Sequence, residues 1–262
     1  MTLELYNAAQ STCSQKVRLV LHEKGLDYVD HRLKLFAGDQ LKDDYLKINP
    51  NGVVPALVHD GEVIIESSVI VEYLDEVFPD AGFTPADPAG RARMRTWQRF
   101  IDEVPTPAVR YPSYNQAFAR HFRDMDAAAF ERIAAAKPLR KHFFRKFART
   151  GFSQEMLDEA EERVALTASR MDMSLRDAPW LAGDRITLAD FCMLPLIDRA
   201  DDLGLGRLWA DRPAVTGWYG RMRARPSYAQ AFYFGSRLSE QYDGIGGKPK
   251  AAAPAEARDT AT

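Results

Sequence analysis

The pair Asp60-Gly61 stands between two short apolar runs, Val53–His59 and Glu62–Ile65. A two-residue Asp-Gly loop closes antiparallel hairpins, because both residues tolerate the positive φ that such a tight turn requires. Upstream the pattern is different. Leu3–Tyr6 reads as a strand, and Val17, Val20, Leu21 and Lys24 then follow helical spacing up to Gly25. Val29, His31, Leu33 and Leu35 alternate with polar residues, as in a second strand. Strand, crossover helix and strand make a parallel pair. The chain must therefore fold its first part around a sheet that is parallel on one side and antiparallel on the other.

Gly38 to Asn49 is irregular and is expected to hold a short helix. Ser67 and Ser68 cap a helix that carries Val69, Ile70, Tyr73 and Leu74 and ends near Pro79. The order β-α-β-α-β-β-α around a small mixed sheet is a thioredoxin-like α/β plan. It is expected over residues 1–82, with a linker at 83–88 in which Asp87-Pro88 supplies an N-cap and a first-turn proline. Residues 89–242 read as an all-helical bundle: Arg91–Val104, breaks at Pro105 and Pro107, then Ala127–Ala136, Pro138–Arg149, Gln154–Leu175, Leu188–Leu203 and Ala214–Arg223. From 243 to 262 glycine, proline, alanine and charge prevail, and a disordered tail is expected.

Lysine and arginine number 35 against 37 acidic residues, a net charge of -2 that gives no general attraction to nucleic acid or membrane. No run approaches the roughly 18 apolar residues of a membrane span, and the N-terminus shows no secretion signal, so a cytoplasmic protein is expected. The cysteines, Cys13 and Cys192, lie far apart and lack metal-ligand spacing, so neither a disulfide framework nor a metal is expected. Cys13 reads as a buried neighbour of the site described next, Cys192 as core. The run from Arg140 to Arg149 alternates basic and aromatic residues; it is expected to face the acidic stretch Glu155–Glu162 and not nucleic acid.

Three features converge in the thioredoxin-like part. Ser11-Thr12-Cys13-Ser14 opens the first helix, where a hydroxyl can donate to a thiolate at the positive helix end. Ser11 or Thr12 serving only as an N-cap is the equal alternative. Val53-Val54-Pro55 puts a proline in a strand-like run. Read as a cis peptide, Val54–Pro55 turns the Val54 N–H and C=O outward for a peptide backbone, and a plain edge-strand proline is the alternative. Glu66-Ser67 starts the third helix, where the free N–H groups and the Ser67 hydroxyl seat a carboxylate and Glu66 meets an ammonium, unless Ser67 is simply a cap. Together they match the cysteinyl, backbone and γ-glutamyl parts of one tripeptide.

These residues resemble the glutathione S-transferase superfamily over residues 3 to about 235. Ser11-x-Cys13-Ser14-x-Lys16-Val17-Arg18 with Glu23-Lys24-Gly25 is similar to its zeta and theta classes. Asn49-Pro50-x-Gly52-x-Val54-Pro55-Ala56-Leu57 and Glu66-Ser67 resemble its glutathione-site motifs, and Gly183-Asp184-x-x-Thr187-x-Ala189-Asp190 its structural helix-capping box. Within the superfamily the chain looks most like bacterial glutathione-dependent β-etherases of lignin breakdown, on Lys47–Pro50, His59–Gly61, Tyr73-Leu74, Val77–Pro79, Pro85–Pro88 and above all Gly151–Glu159, with a long segment between Pro105 and Gly151.

The resemblance implies a homodimer that uses glutathione as co-substrate and cleaves a β-aryl ether ketone by thiolate attack, releasing a phenol. It puts the catalytic serine at Ser11 on the zeta pattern and at Ser14 on the etherase pattern. Gln40 is expected at the glycine end of glutathione. Tyr111, Tyr114, Phe118 and His121, with Phe122, are expected to wall an aromatic pocket; plain packing is the alternative for each. Two rival functions remain. One is a zeta-like maleylacetoacetate isomerase, whose dicarboxylate should want arginines in the pocket, or a general glutathione transferase. The other is a non-catalytic glutathione- or ligand-binding protein.

Overall fold

A computed structural model describes residues 2–253. The sheet has four strands in the order β2-β1-β3-β4. β1 (Leu3–Asn7) pairs in parallel with β2 (Val29–Arg32) and antiparallel with β3 (Ala56–His59), which pairs antiparallel with β4 (Glu62–Ile65). Asp60 and Gly61 close that hairpin at φ 49 and φ 92, the positive values an Asp-Gly turn supplies. Helices α1 (Thr12–Glu23), α2 (Asp43–Ile48) and α3 (Ser67–Val77) complete the thioredoxin-like part.

Two strand limits differ from the sequence pattern. β3 begins at Ala56 and not at Val53. Pro55 has no N–H to give a ladder, and the Val53 carbonyl already accepts from Tyr45 Oη (2.6 Å) and Asn49 Nδ2 (2.9 Å). β2 stops at Arg32, because 3₁₀ turns Leu35–Ala37 and Asp39–Leu41 carry the chain toward α2.

The Asp87 carboxylate accepts the Gly90 N–H (2.7 Å) and starts α4 (Pro88–Glu103). The prolines after it do not end helical structure. α5 (Pro105–Ala108) and α6 (Arg110–Ser113) hold Pro105, Pro107 and Pro112 in their first turns, where no backbone N–H is needed. A π-helical turn, Tyr114–Phe118, and a 3₁₀ turn, Ala119–His121, lead to α7 (Ala127–Ala135) and α8 (Lys141–Phe147). α9 (Gln154–Asp177), α10 (Leu188–Asp202), α11 (Pro213–Arg223), α12 (Pro226–Ala231) and α13 (Leu238–Gln241) follow.

One continuous core joins both parts, with Leu5, Val17, Leu57 and Ile70 in the same cluster as Met94, Ile101, Phe191 and Trp218. Phe83, in the expected linker, packs edge-on against Phe191 at 4.7 Å. A second, aromatic cluster sits under α7 and α8, where Phe122 meets Phe130 and Phe147 at 5.6 and 5.9 Å. Asp190 of the capping box accepts from the Thr187 N–H (2.9 Å), the Leu181 N–H (3.0 Å) and Trp218 Nε1 (2.8 Å).

Two expectations are corrected. A tail from residue 243 would leave Ile245 unpacked, yet Ile245 is fully buried in a 3₁₀ turn, Ile245–Gly247. Gly246 lies so close to α10 that a Cβ there would meet the Asp202 carbonyl at 2.7 Å. Glycine there permits a close approach; it does not mark disorder. Residues 254–262 of the expected tail lie outside the described residues. The basic run does not face the acid of α9 either: Arg145 pairs with Glu131 on α7, Arg149 donates to the Met125 carbonyl (2.5 Å), and Arg140 lines a cavity.

Candidate active site

A cavity of about 690 Å³ opens where the loop after β1 meets α5–α8. Gln10 and Ser11 of the loop after β1 line it, and the Ala8, Ala9 and Gln10 carbonyls of that loop are held from both parts of the protein. Arg18 Nη1 donates to Ala8 O (3.2 Å) and its Nη2 to Ala9 O (2.9 Å). Arg199 of α10 donates to Gln10 O (2.7 Å). Gln15 Nε2 donates to Ser236 O (2.8 Å) and Arg18 Nε to Ala231 O (2.9 Å), so α1 is tied to the C-terminal segment as well. Guanidinium donors from α1 and α10 thus tie the loop to both parts of the protein.

That loop delivers the two serines differently. Ser11 is the N-cap of α1; its Oγ accepts the Ser14 N–H at 3.2 Å and lines the cavity with Thr12 and Cys13. Its own hydroxyl proton stays available, at the positive end of the helix. Ser14 is fully buried, its Oγ accepts the Ala8 N–H at 3.3 Å, and it does not line the cavity.

Val54 also lines the cavity, and its N–H and C=O find no partner among the described residues. Such an open backbone edge fits a peptide. The Val54–Pro55 peptide is cis. Ala56 pairs with Ile65, which brings Glu66 and Ser67 of α3 beside Pro55. Glu66 holds φ 68, a value costly for a residue with a Cβ and found where the surroundings require it. Glu66 is exposed and Ser67 buried; neither they nor Pro55 belong to the cavity wall itself. Gln40 is buried in the wall with Oε1 unpartnered.

The aromatic expectations divide. Tyr114, Phe118, His121 and Phe122 line the cavity. Tyr111 does not; it packs edge-on against Phe152 and Phe143 at 4.6 and 5.9 Å. Phe36, from the 3₁₀ turn after β2, adds a ring to the wall that periodicity did not single out. It stacks on His121 at 4.5 Å and meets Phe118 at 5.0 Å. Burial, then Arg120, lowers the His121 pKa, which keeps this ring neutral near pH 7.

Sequence reasoning missed the charge of the cavity. Arg110, Arg132, Lys137, Arg140 and Arg199 line it, and no aspartate or glutamate does among the described residues. Burial, then the neighbouring Arg140, pushes the Arg110 pKa down to about 10. The basic run 140–149 held part of this signal, but its reading toward α9 hid it. Cys192 is core, its thiol pushed up to about 12 by burial.

Residues 10–77 match the glutathione S-transferase N-terminal domain family and residues 134–226 the C-terminal domain family. Protein LigF of Sphingobium sp. strain SYK-6 is 34% identical over 245 residues, 88% of this chain and 93% of that protein. The crystal structure of beta-etherase LigF from that strain aligns with a TM-score of 0.79, covering 88% of this chain and 99% of the other. A maleylacetoacetate isomerase of Pseudomonas aeruginosa is 43% identical over 234 residues, 87% of this chain and 95% of that protein. The chain belongs to the glutathione S-transferase family. It is a transferase whose co-substrate is glutathione.

Proposed function

We propose that this enzyme cleaves the β-aryl ether bond of lignin-derived aromatic ketones. The observation that carries the reading is one cavity that joins Ser11 at the start of α1 to the rings of Tyr114, Phe118, Phe122 and Phe36. The likeness to beta-etherase LigF, at 34% identity and a TM-score of 0.79, supports it.

In this reading Val54 pairs with the glutathione backbone, Glu66 and Ser67 take the γ-glutamyl end, and Gln40 takes the glycine end. Ser11 donates its hydroxyl proton to the sulfur and favours the thiolate. Ser14 is the poorer candidate, because its oxygen serves the Ala8 N–H inside the fold. The thiolate attacks the β-carbon, the S–C bond forms as the C–O bond breaks, and the electron pair leaves on the aryl oxygen. The substrate ketone activates the carbon, so the protein supplies thiol ionisation and alignment.

A second reading, maleylacetoacetate isomerase, is favoured by the 43% identity to the isomerase and by the arginines in the cavity. The test is incubation with glutathione and a guaiacyl β-ether ketone, with maleylacetoacetate in parallel. Guaiacol release matched by a glutathione thioether is expected. Isomerisation without guaiacol would transfer the function to the second reading, and glutathione binding with neither reaction would leave a binding protein.

The active form is inferred to be a cytoplasmic homodimer. No described helix is long and apolar enough to cross a membrane, and Val63 on β4 and Val69 on α3 stand 40% and 50% exposed. Sedimentation as a single 29.5 kDa chain would contradict the dimer.

A further inference from the structure

We propose that Arg110, backed by Arg140, is an oxyanion receptor in the substrate cavity and holds the aryl oxygen that leaves. This inference rests on the etherase reading and adds a residue to it. Arg110 opens α6 and lines the cavity, with its guanidinium 5.6 Å from the Phe143 ring centroid. No hydrogen bond or ion pair holds it among the described residues.

The contrast with other cations of this chain is direct. Lys16 pairs with Asp102 at 3.1 Å, Lys24 with Asp75 at 2.7 Å and Arg225 with Glu23 at 2.5 Å. Arg18 and Arg199 donate to backbone carbonyls. A cation drawn away from water needs an opposite charge or oxygen acceptors to offset the cost. Arg110 instead has Arg140 as its charged neighbour, which repels it. The cavity wall that could supply a carboxylate has none. One turn earlier, on α5, Thr106 lines the same cavity with its Oγ1 buried and unpartnered. The Arg110 cation is thus left at the cavity wall without a protein partner among the described residues, and an anion from outside the protein satisfies it.

The reaction produces such an anion. Negative charge starts on the sulfur beside Ser11 and ends on the aryl oxygen as the C–O bond breaks. A guanidinium is planar, stays protonated and can donate two parallel hydrogen bonds to an oxyanion. A fixed donor aimed at developing charge lowers the barrier because it need not reorganise. The aryloxide leaves ionised and takes its proton from water after release, so no reactant beyond glutathione and the ether is required. The same donors would hold an aryl carboxylate, and the test separates the two sources.

Three probes are titrated into wild type, Arg110→Met and Arg110→Lys: 4-nitrophenolate, 4-nitrobenzoate and neutral 4-nitroanisole. Arg110→Met should weaken 4-nitrophenolate about tenfold or more and leave 4-nitroanisole unchanged, and Arg110→Lys should recover part of the loss. In turnover, the rate deficit of Arg110→Met should grow as the leaving phenol becomes less acidic. Unchanged 4-nitrophenolate binding in Arg110→Met overturns the proposal. Loss confined to 4-nitrobenzoate overturns the leaving-oxygen assignment and marks a substrate carboxylate site. Because binding is read without turnover, an enzyme that cleaves no ether can still pass or fail this test.

Discussion

Arg199, on α10, donates to the carbonyl of Gln10, one residue before the cap of α1, across 189 positions of sequence. The helical part of the protein thereby fixes the loop that carries Ser11. Burial lowers the Arg199 pKa, while Asp202 and Asp198 nearby favour its charge.

Replacing Arg199 by methionine should leave the Gln10 carbonyl without its donor and let the loop relax. A stability loss of about 1–3 kcal/mol is expected, with a larger rise in the KM for glutathione than fall in kcat. Thermal melts and steady-state kinetics read both. Unchanged glutathione binding would mean that the loop holds its shape without Arg199.

The Lys16–Asp102 pair, closed by Ser68 at 3.0 Å from Lys16 Nζ, should respond asymmetrically. Lys16 is almost fully buried, while the Asp102 side chain is 39% exposed. Asp102→Ala strands a buried cation and should cost about 3–5 kcal/mol. Lys16→Met leaves a carboxylate that water can reach and should cost less. Equal losses by denaturant unfolding would refute the argument.

Acid should weaken the join between α1 and α12. Burial opposes ionisation of Glu23, but hydrogen bonds from Arg225 and Ser227 outweigh it and lower its pKa below the 4.5 of a free glutamate. The folded value is depressed, so the stabilisation is present above 4.5 and is lost as pH falls through the folded pKa. Unfolding free energies from pH 7 downward should fall more steeply below that value for wild type than for Glu23→Gln. Parallel curves would exclude Glu23 as a source of the acid sensitivity.

Much of this was legible in the sequence because its causes are local. Asp60-Gly61 dictates its own turn, and Asp87-Pro88 and Thr187–Asp190 dictate helix starts, so the sheet and long helices appear where expected. Long-range packing was not legible. Ile245 is buried only because Gly246 admits the chain against α10. The rings of Tyr111 and Tyr114, alike in pattern, both pack into the aromatic cluster, and of the two Tyr114 alone also reaches the cavity wall. Ser11 and Ser14 share one helix turn, and the difference between them arises from the Ala8 N–H that the loop turns toward Ser14.

Ser14→Ala should therefore act on folding. Removing the Ser14 oxygen that accepts the buried Ala8 N–H should cost about 1–3 kcal/mol without abolishing turnover by the folded enzyme. Melting curves beside activity per folded molecule read this. Lost activity at full stability would restore Ser14 to the chemistry.

The central claim is that the hydroxyl of Ser11 ionises the sulfur of bound glutathione. Ultraviolet absorbance of the thiolate, followed against pH in the binary complexes of wild type, Ser11→Ala and Ser14→Ala, measures this directly. Wild type and Ser14→Ala should titrate well below the roughly 8.5 of a free thiol, and Ser11→Ala should return toward it. A Ser11→Ala complex that titrates with wild type would contradict the account.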